Sequence, residues 1–154
     1  MNKAELYQQL LEQTQALIFD ESDVIANMAN ISALLFDALE GVNWAGFYRL
    51  QGEQLVLGPF QGKVACIRIP VGKGVCGSAA ASGEIQRVSD VHQFDGHIAC
   101  DAMSNAEIVL PVKVNNQVVA VLDIDSVVFD RFDIDDQQGL ALIVQALEQQ
   151  WISS

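Results

Sequence analysis

The chain has 154 residues, of which 51% are hydrophobic and 18% are charged, so its composition excludes disorder and low-complexity structure. Its 20 acidic and 8 basic residues give a formal charge of −12. A surface this negative repels phosphate backbones and anionic lipids, so we predict neither nucleic acid nor a membrane as a partner. A chain of this length buries about 68–70% of its unfolded surface without disulfides or a structural metal. We therefore expect residues 1–154 to form a single domain.

Targeting signals are not evident in the sequence. The N-terminal stretch MNKAELYQQLLEQTQ carries charges and glutamines where a signal peptide needs an apolar core. Unbroken apolar runs such as Val118–Leu122 fall far below the ~18 residues of a transmembrane helix. We therefore expect a cytoplasmic protein, whose thiols stay reduced. Cys66, Cys76 and Cys100 are an odd number without a CxxC pair, which excludes a secreted disulfide framework.

The first third of the chain predicts two helices and then strands. Apolar residues at steps of three and four predict helices over Lys3–Ile18 and Asp23–Leu39. Three strands are predicted next, over Trp44–Leu50, Gln54–Leu57 and Ala65–Ile69. The pattern therefore changes from helical to extended near residue 42.

The remainder predicts more strands and a closing helix. A short helix and three strands follow in order, Val75–Ser82, Ile85–Val88, Glu107–Val114 and Gln117–Asp125. The last two strands form a hairpin joined at Asn115-Asn116, because asparagine tolerates the positive φ that tight hairpin turns require. Asp133 is a suitable N-cap for the final helix. Helices at both ends of a mostly antiparallel sheet indicate an α+β fold.

A stretch without a clear period, Ser89–Asn105, separates the two groups of strands. Its polar residues include groups that carry chemistry: His92, Asp95, His97, Cys100 and Asp101. Loops of this length are uncommon inside compact domains and are often functional. A lid over a pocket and an ordinary ordered surface loop explain the composition equally well. Zinc held by His92, His97, Cys100 and Cys76 is a competing idea, but only the two histidines have the spacing of structural zinc ligands, so we predict no metal.

The three cysteines differ in their surroundings. Cys66 lies in an apolar strand pattern, which is typical of a small buried hydrophobe. Cys76 follows Gly74 at the start of a helix, where the helix dipole favours a thiolate. Cys100 lies in the long loop, where exposure is expected. The sequence pattern alone does not decide which of these thiols reacts.

Carboxylates are the third group of candidate functional residues, after the long loop and the cysteines. Asp123 and Asp125 are two residues apart on an apolar strand, so their side chains share one face. Burying these carboxylates is costly unless a nearby cation pairs with them or a proton neutralises them. Glu107 begins the partner strand. A strict two-residue turn would place Glu107 on the opposite face from Asp123, whereas a longer connection or a bulge would bring the two together.

These segments resemble one known family. The matching stretches are VNWAGFY (Val42–Tyr48), LVLGPFQGKVACIRIPVGKGVCG (Leu55–Gly77), DVHQFDGHIACDAMSNAEIVLP (Asp90–Pro111) and VLDIDS (Val121–Ser126). Together they resemble the free methionine-(R)-sulfoxide reductases over nearly the whole chain, with the spacing of all three cysteines preserved. The resemblance implies a GAF-like fold, reduction of free methionine (R)-sulfoxide without a cofactor, and recycling by thioredoxin.

The resemblance also implies roles for individual residues. Cys100 would be the nucleophile, Cys66 the main resolving thiol and Cys76 a secondary resolving or recycling thiol. Three carboxylates and two aromatic residues would face the substrate: Glu107, Asp123, Asp125, Trp44 and Tyr48. Either Glu107 or Asp125 would donate the proton to the sulfoxide oxygen, since clustered carboxylates raise one another's pKa.

Two other classes of protein compete with this interpretation. A GAF-type sensing module would bind a small molecule without turning it over, but it needs no resolving thiol. A metal-binding or dimer-forming scaffold is the third class, and elemental analysis would reveal the metal. Dimerisation is common for this fold and the terminal helices could support a homodimer.

Overall fold

The computed structural model describes residues 1–96 and 103–153 of the chain. Its elements follow the predicted order of two helices, three strands, a short helix, three strands and a closing helix. The helices are α1 (Lys3–Ile18), α2 (Val24–Ala38), α3 (Gly74–Ser82) and α4 (Ile134–Ser153). The strands are β1 (Val42–Gln51), β2 (Gln54–Gly62), β3 (Arg68–Pro70), β4 (Gln86–Val88), β5 (Ala106–Val114) and β6 (Gln117–Ser126). A 3₁₀ turn, Val91–Gln93, lies between β4 and β5.

The described strands form one six-stranded sheet in the order β3-β2-β1-β6-β5-β4. Every neighbouring pair is antiparallel. Helices α1, α2 and α4 lie on one face of this sheet, and α3 lies on the other. The predicted α+β class, with an antiparallel sheet flanked by the terminal helices, is confirmed. Within residues 1–96 and 103–153, none of the helices combines the length and the apolar character that a membrane crossing requires.

Polar side chains cap the starts of α2 and α4. The Asp23 carboxylate accepts hydrogen bonds from the backbone N–H groups of Ile25 and Ala26, which otherwise lack partners in the first turn of α2. At the start of α4, Asp133 Oδ1 accepts from the Asp136 N–H (3.0 Å), and Asp136 Oδ2 accepts from the Asp133 N–H (2.9 Å). This reciprocal pair explains why the helix begins where the sequence predicts it.

Asp136 also joins the two ends of the chain. Its buried carboxylate accepts a hydrogen bond from the Tyr7 hydroxyl (2.7 Å) and forms an ion pair with Lys3 Nζ (2.7 Å). Both partners are on α1. Arg131 Nη1 lies 3.4 Å from the same carboxylate. Gly139 allows α1 to come this close, because a Cβ there would lie 2.2 Å from the Tyr7 ring. The helix layer is therefore fastened by a buried charge as well as by apolar packing.

Apolar residues on the two faces of the sheet form separate cores. The larger core lies between α1, α2, α4 and the sheet, and includes Phe47, Ile108, Leu122 and Ile124. The smaller core lies under α3 on the opposite face, and it contains Trp44, Tyr48, Val109 and Val121. Alternation along each strand assigns neighbouring residues to opposite faces. The second face carries the described residues of the site discussed below.

Two predicted strand boundaries are wrong. Strand β2 continues to Gly62 rather than ending at Leu57, because the pairing with β1 is interrupted at Gly58 and Pro59 by a bulge opposite Phe47 and resumes at Phe60. The strand predicted over Ala65–Ile69 is observed only over Arg68–Pro70. Before it, the Lys63 carbonyl is hydrogen-bonded by a side chain and not by a neighbouring strand. Side-chain donors thus replace the strand ladder at this point.

Candidate active site

A cavity opens on the sheet face opposite the terminal helices. Strands β1, β5 and β6 form its floor, and α3 with the segment before β3 forms its sides. Its lining comprises Trp44, Tyr48, Val64, Ala65, Ile69, Lys73, Gly74, Val75, Cys76, Ser104, Glu107, Asp123 and Asp125. All five residues predicted to face a substrate are therefore brought together around one space.

The three carboxylates meet because of strand register. Glu107 on β5 lies directly opposite Asp125 on β6, and Val109 lies opposite Asp123. Residues two apart share a face, so Glu107, Asp123 and Asp125 all point to the cavity side of the sheet. Glu107 and Asp123 are buried, whereas Asp125 is partly exposed. The cavity floor is thus a concentrated source of negative charge.

A β-bulge produces this register. The hairpin turn consists of two residues, Asn115 and Asn116, both with positive φ (53° and 66°). Near the turn Lys113 pairs with Val118, but the next pair joins Val112 to Ala120 and leaves out Val119. The extra residue shifts the register by one. Of the two alternatives that the sequence left open, the bulge is therefore the one that occurs.

The electrostatics of Glu107 follow from this crowding. Burial, and then the negative charges of Asp123 and Asp125, raise the pKa of the Glu107 carboxyl well above its ordinary value. A carboxyl group in this setting holds its proton at a pH where an exposed glutamate has lost it. Glu107 can therefore act as a proton donor in this site.

The environment of Cys76 contradicts the prediction that its position favours a thiolate. Its side chain is 4% exposed, and Sγ lies 3.9 Å from Glu107 Oε2. Burial, and then the charges of Asp123 and Glu107, raise the pKa of the Cys76 thiol well above its ordinary value. Desolvation and three acidic neighbours therefore outweigh the helix dipole at the start of α3. Cys76 is held as a neutral thiol.

Three ligand-type atoms also come together here. One atom each from Cys76, Glu107 and Asp123 lie within 4.8 Å of one another, which is a donor set that a metal ion can use. The zinc ligands considered from the sequence form a different set. His92 is instead hydrogen-bonded to Asn105 (3.1 Å) and lies beside the Phe129 ring, and His97 and Cys100 lie outside the described residues.

Aromatic rings form the wall beside the carboxylates. The Trp44 ring stacks on Phe60 (centroids 5.1 Å apart) and on Tyr48 (5.9 Å). Gly46 makes room for this arrangement, because a Cβ at this position would lie 2.2 Å from the Phe60 Cβ. The wall presents a flat apolar surface of the kind that suits a small apolar group of a ligand.

The sequence analysis missed several residues of the site. Phe60 lies beyond the predicted end of β2 and stacks on Trp44 only because pairing with β1 resumes after a bulge, which the local pattern does not indicate. Ser104, which lines the cavity and accepts a hydrogen bond from Asn43 (3.2 Å), gave no signal as a lone serine in a loop. Lys73 and Val75 line the cavity because Gly72 and Gly74 turn the chain into α3.

The two cysteines that the structure describes, Cys66 and Cys76, have different surroundings. Cys66 is partly exposed, lies ahead of β3 and not within a strand, and is disulfide-bonded. The prediction that it is a buried strand residue is therefore wrong. Cys76 is buried and free. Cys100, the predicted nucleophile, lies outside the described residues, as do the other residues of 97–102 within the segment Ser89–Asn105.

Comparisons with known proteins identify this arrangement. The family model described as "GAF domain" matches residues 5–149. The Escherichia coli (strain K12) protein named free methionine-R-sulfoxide reductase is 59% identical over 148 residues, covering 96% of this chain and 90% of the relative. The fold is therefore that of a GAF domain, which agrees with the predicted fold.

Solved structures agree at the level of three-dimensional shape. The Staphylococcus aureus fRMsr in complex with substrate has a TM-score of 0.91 and 50% identity, covering 94% of this chain and 95% of that one. The Neisseria meningitidis free methionine-R-sulfoxide reductase in complex with its substrate has a TM-score of 0.94 and 42% identity, covering 98% and 91%. The chain belongs to the free methionine-(R)-sulfoxide reductases, a family of GAF-domain oxidoreductases.

Proposed function

We propose that this chain reduces free methionine (R)-sulfoxide to methionine with its own thiols and is recycled by thioredoxin. The observation that carries the proposal is a single cavity with a buried acidic cluster on its floor and stacked aromatic rings on its wall. Free methionine sulfoxide has an ammonium group, a small methyl group and a polar sulfoxide. Each of these groups has a complementary partner in the cavity.

Substrate binding follows from charge and shape. The ammonium group is assigned to Asp123 and Asp125, because a cation offsets the cost of burying carboxylates. The methyl group is assigned to the wall of Trp44 and Tyr48. The cavity is also lined by Gly74 at the start of α3, where backbone N–H groups are available for the substrate carboxylate. A cavity that pairs with both the ammonium group and the carboxylate favours the free amino acid over a residue within a peptide, which lacks both charges.

The chemistry uses one thiol to attack and another to resolve. Cys100 attacks the sulfoxide sulfur, the sulfoxide oxygen takes up a proton, and methionine leaves while Cys100 becomes a sulfenic acid. The raised pKa of Glu107 supports Glu107 as the donor of that proton, and Asp125 directly opposite it is the alternative. Cys66 then condenses with the sulfenic acid, releasing water and forming a disulfide. The disulfide at Cys66 supports its role as a resolving thiol.

Cys76 is assigned a secondary role. Its burial and its protonated state make it a slower attacker than a partly exposed thiol. It lines the same cavity as the acidic cluster, so it can replace Cys66 when Cys66 is absent. We expect that replacement to be inefficient.

The test counts the methionine formed when no reductant is present. Wild type should form about one methionine per chain and lose two titratable thiols. Cys100→Ser should form none, because an alcohol is a much weaker nucleophile than a thiolate. Cys66→Ser should still form the first methionine but lose most turnover with thioredoxin, and the double variant Cys66→Ser, Cys76→Ser should lose the rest.

Two results would contradict the proposal. One methionine per chain from Cys100→Ser would show that another group attacks the sulfoxide. Tight binding of methionine sulfoxide by wild type without any methionine would instead assign the chain to a sensing module. A parallel assay with the (S)-sulfoxide and with a peptide-bound sulfoxide tests selectivity, and comparable turnover of the peptide would contradict a cavity that pairs with both charges.

The domain organisation, location and oligomeric state of the chain are proposals as well. We propose that residues 1–154 act as one domain, which is supported by the contacts of Asp136 on α4 with Tyr7 and Lys3 on α1. A cytoplasmic location and a homodimer stay predictions. Light scattering of the purified protein tests the second of these directly.

A further inference from the structure

Charge is distributed unevenly along this chain. Residues 54–83 contain no aspartate or glutamate, yet they hold three of the eight basic residues, Lys63, Arg68 and Lys73. All 20 acidic residues lie in the remainder of the chain. A local positive region within a protein of formal charge −12 attracts an acidic partner to one place.

The segment of residues 63–68, here named the Cys66 loop, combines this charge with exposed apolar side chains. Val64 is 89% exposed and Ile67 is 67% exposed, on either side of the partly exposed Cys66. Lys63 and Arg68 at the two ends of the loop are exposed as well. Two large apolar side chains and two cations therefore surround one cysteine within six residues.

Hydrogen bonds from the body of the protein hold the Cys66 loop in place. Trp44 Nε1 donates to the Lys63 carbonyl (3.0 Å), and the Tyr48 hydroxyl donates to the Cys66 carbonyl (2.9 Å). The backbone N–H of Leu57 donates to the Ile67 carbonyl (2.8 Å). Three carbonyl groups are thus fixed toward the protein, and the loop presents its exposed side chains on a defined backbone. A preformed surface loses little conformational entropy on binding.

We propose that the Cys66 loop is the docking surface for an acidic protein dithiol of the thioredoxin class, which attacks the sulfur of Cys66. The proposal rests on the proposed function, in which Cys66 is half of the disulfide that must be reduced. Charge complementarity selects the partner, and Ile67 supplies an apolar contact close to the reacting sulfur.

The reduction balances as two thiol–disulfide exchanges. One thiolate of the partner attacks Cys66 Sγ, a mixed disulfide forms, and the cysteine formerly bonded to Cys66 leaves as a thiolate. The second thiol of the partner then attacks its own mixed disulfide and releases the Cys66 thiolate. Two electrons pass to the reductase, and the partner is left as an intramolecular disulfide.

The first experiment compares a protein reductant with a small one. Turnover is measured with an acidic thioredoxin, kept reduced by thioredoxin reductase and NADPH, and separately with dithiothreitol. For Ile67→Ser we expect kcat/KM for thioredoxin to fall about tenfold, as a central apolar contact is lost. Turnover with dithiothreitol should stay within about twofold, because a small dithiol needs no docking surface. Ile25→Ser is the matched control, since Ile25 is 57% exposed on α2.

Charge is tested in the same assay. Arg68→Gln should lower kcat/KM for thioredoxin about threefold at low ionic strength, and the difference should disappear in high salt. Gln9→Glu changes the net charge by the same amount on exposed α1 and should have little effect. Equal losses with thioredoxin and dithiothreitol, or no loss with thioredoxin in either loop variant, would overturn the docking surface.

A trapped intermediate identifies the sulfur that is attacked. A thioredoxin whose second cysteine is replaced by serine should stop at the mixed disulfide with the oxidised reductase. Trypsin separates the three cysteines, because Cys66 lies in residues 64–68, Cys76 in residues 74–87 and Cys100 in residues 88–113. The thioredoxin peptide should be bound to residues 64–68, and attachment to either other peptide would overturn the proposal.

The same measurements separate this proposal from the proposed function. One methionine per chain without reductant depends only on the attacking and resolving thiols. If wild type forms that methionine but Ile67→Ser and Arg68→Gln behave like their controls, the docking surface is wrong and the reductase activity stands. If wild type forms no methionine, the proposed function itself fails.

Discussion

Glu107 and Asp125 lie directly opposite each other on β5 and β6, and both face the cavity. Like charges directly opposite each other in an antiparallel pair are destabilising. Both residues are nevertheless present, and the buried Asp123 lies two residues before Asp125 on the same face of β6. Such a cluster is costly for folding, which is typical of a site that serves a ligand and not the stability of the fold.

The first prediction concerns the catalytic role of this pair. Glu107→Gln and Asp125→Asn each keep the shape of the side chain and remove its charge. We expect each to lower kcat substantially, with a loss of about 10²–10⁴-fold in the variant that lacks the general acid. Asp135→Asn makes the same chemical change on the exposed first turn of α4 and should be nearly silent. Near-normal kcat in both site variants across the pH range would contradict the acid-catalysis assignment.

The second prediction concerns the effect of pH on stability. Because the folded-state pKa of Glu107 is raised, the folded protein binds more protons than the unfolded chain between the ordinary glutamate pKa and the raised value. The free energy of unfolding must therefore fall as the pH rises through this range. Glu107→Gln removes this contribution, so it should be more stable than wild type at the upper end of the range.

Urea unfolding at a series of pH values tests this sign. The difference in free energy of unfolding between Glu107→Gln and wild type should grow with pH and then level off. Asp135→Asn provides the baseline for removing an exposed carboxylate. A constant difference across the range would show that Glu107 titrates as an ordinary exposed glutamate does.

Much of the fold was predictable because its signals are local. The stripes of α1 and α2, the cap at Asp133 and the Asn115-Asn116 turn each depend on a few neighbouring residues. The α+β class followed from the order of these elements. Local patterns also brought Asp123 and Asp125 to one face, since that requires only alternation along a strand.

The parts that were not predictable depend on pairing between distant residues. Nothing near Val119 marks it as the extra residue of a bulge, yet the bulge decides whether Glu107 joins the aspartates. The state of Cys76 depends on burial under α3 and on carboxylates from two other strands, so its position at a helix start was misleading. The strand predicted around Cys66 failed because side chains on β1 hold its carbonyls.

The third prediction concerns the support of the aromatic wall. Gly46 lies between Trp44 and Tyr48 on β1, and a Cβ there would meet the Phe60 backbone at 2.7 Å. Gly46→Ala should therefore separate β1 from β2 and displace Phe60 from Trp44. We expect it to lower the free energy of unfolding by about 1–3 kcal/mol, as overpacking usually does, and to raise KM.

Gly58→Ala provides the comparison for this variant. Its added Cβ would lie 3.0 Å from the Phe47 carbonyl oxygen and 3.6 Å from Arg49, so the crowding is milder. We expect a smaller loss of stability and an unchanged KM. Equal KM values for Gly46→Ala and wild type would show that the Trp44–Phe60 stack does not shape the substrate site.

The fourth prediction isolates the buried contact between the chain ends. Tyr7→Phe removes the hydroxyl that donates to Asp136 Oδ1 at 2.7 Å. A hydrogen bond to a charged group contributes about 1.5–3 kcal/mol, so the midpoint of thermal unfolding should fall by several degrees. Activity at 25 °C should be unchanged, because the contact lies on the face opposite the cavity. The same substitution in an Asp136→Asn background should cost less, and additive losses would show that the two residues are not coupled.

The last prediction concerns the reactivity of Cys76. Because burial and acidic neighbours raise the pKa of its thiol, little thiolate is present at pH 8, and the sulfur is shielded from solvent. Iodoacetamide should therefore label Cys76 in the reduced, folded protein far more slowly than in the unfolded chain, as measured by mass spectrometry of residues 74–87. Cys76→Ser should form one methionine per chain and keep most of its thioredoxin-dependent turnover. Labelling of folded Cys76 at the unfolded rate would contradict the neutral, buried thiol, because only an exposed sulfur with an ordinary pKa reacts at that rate.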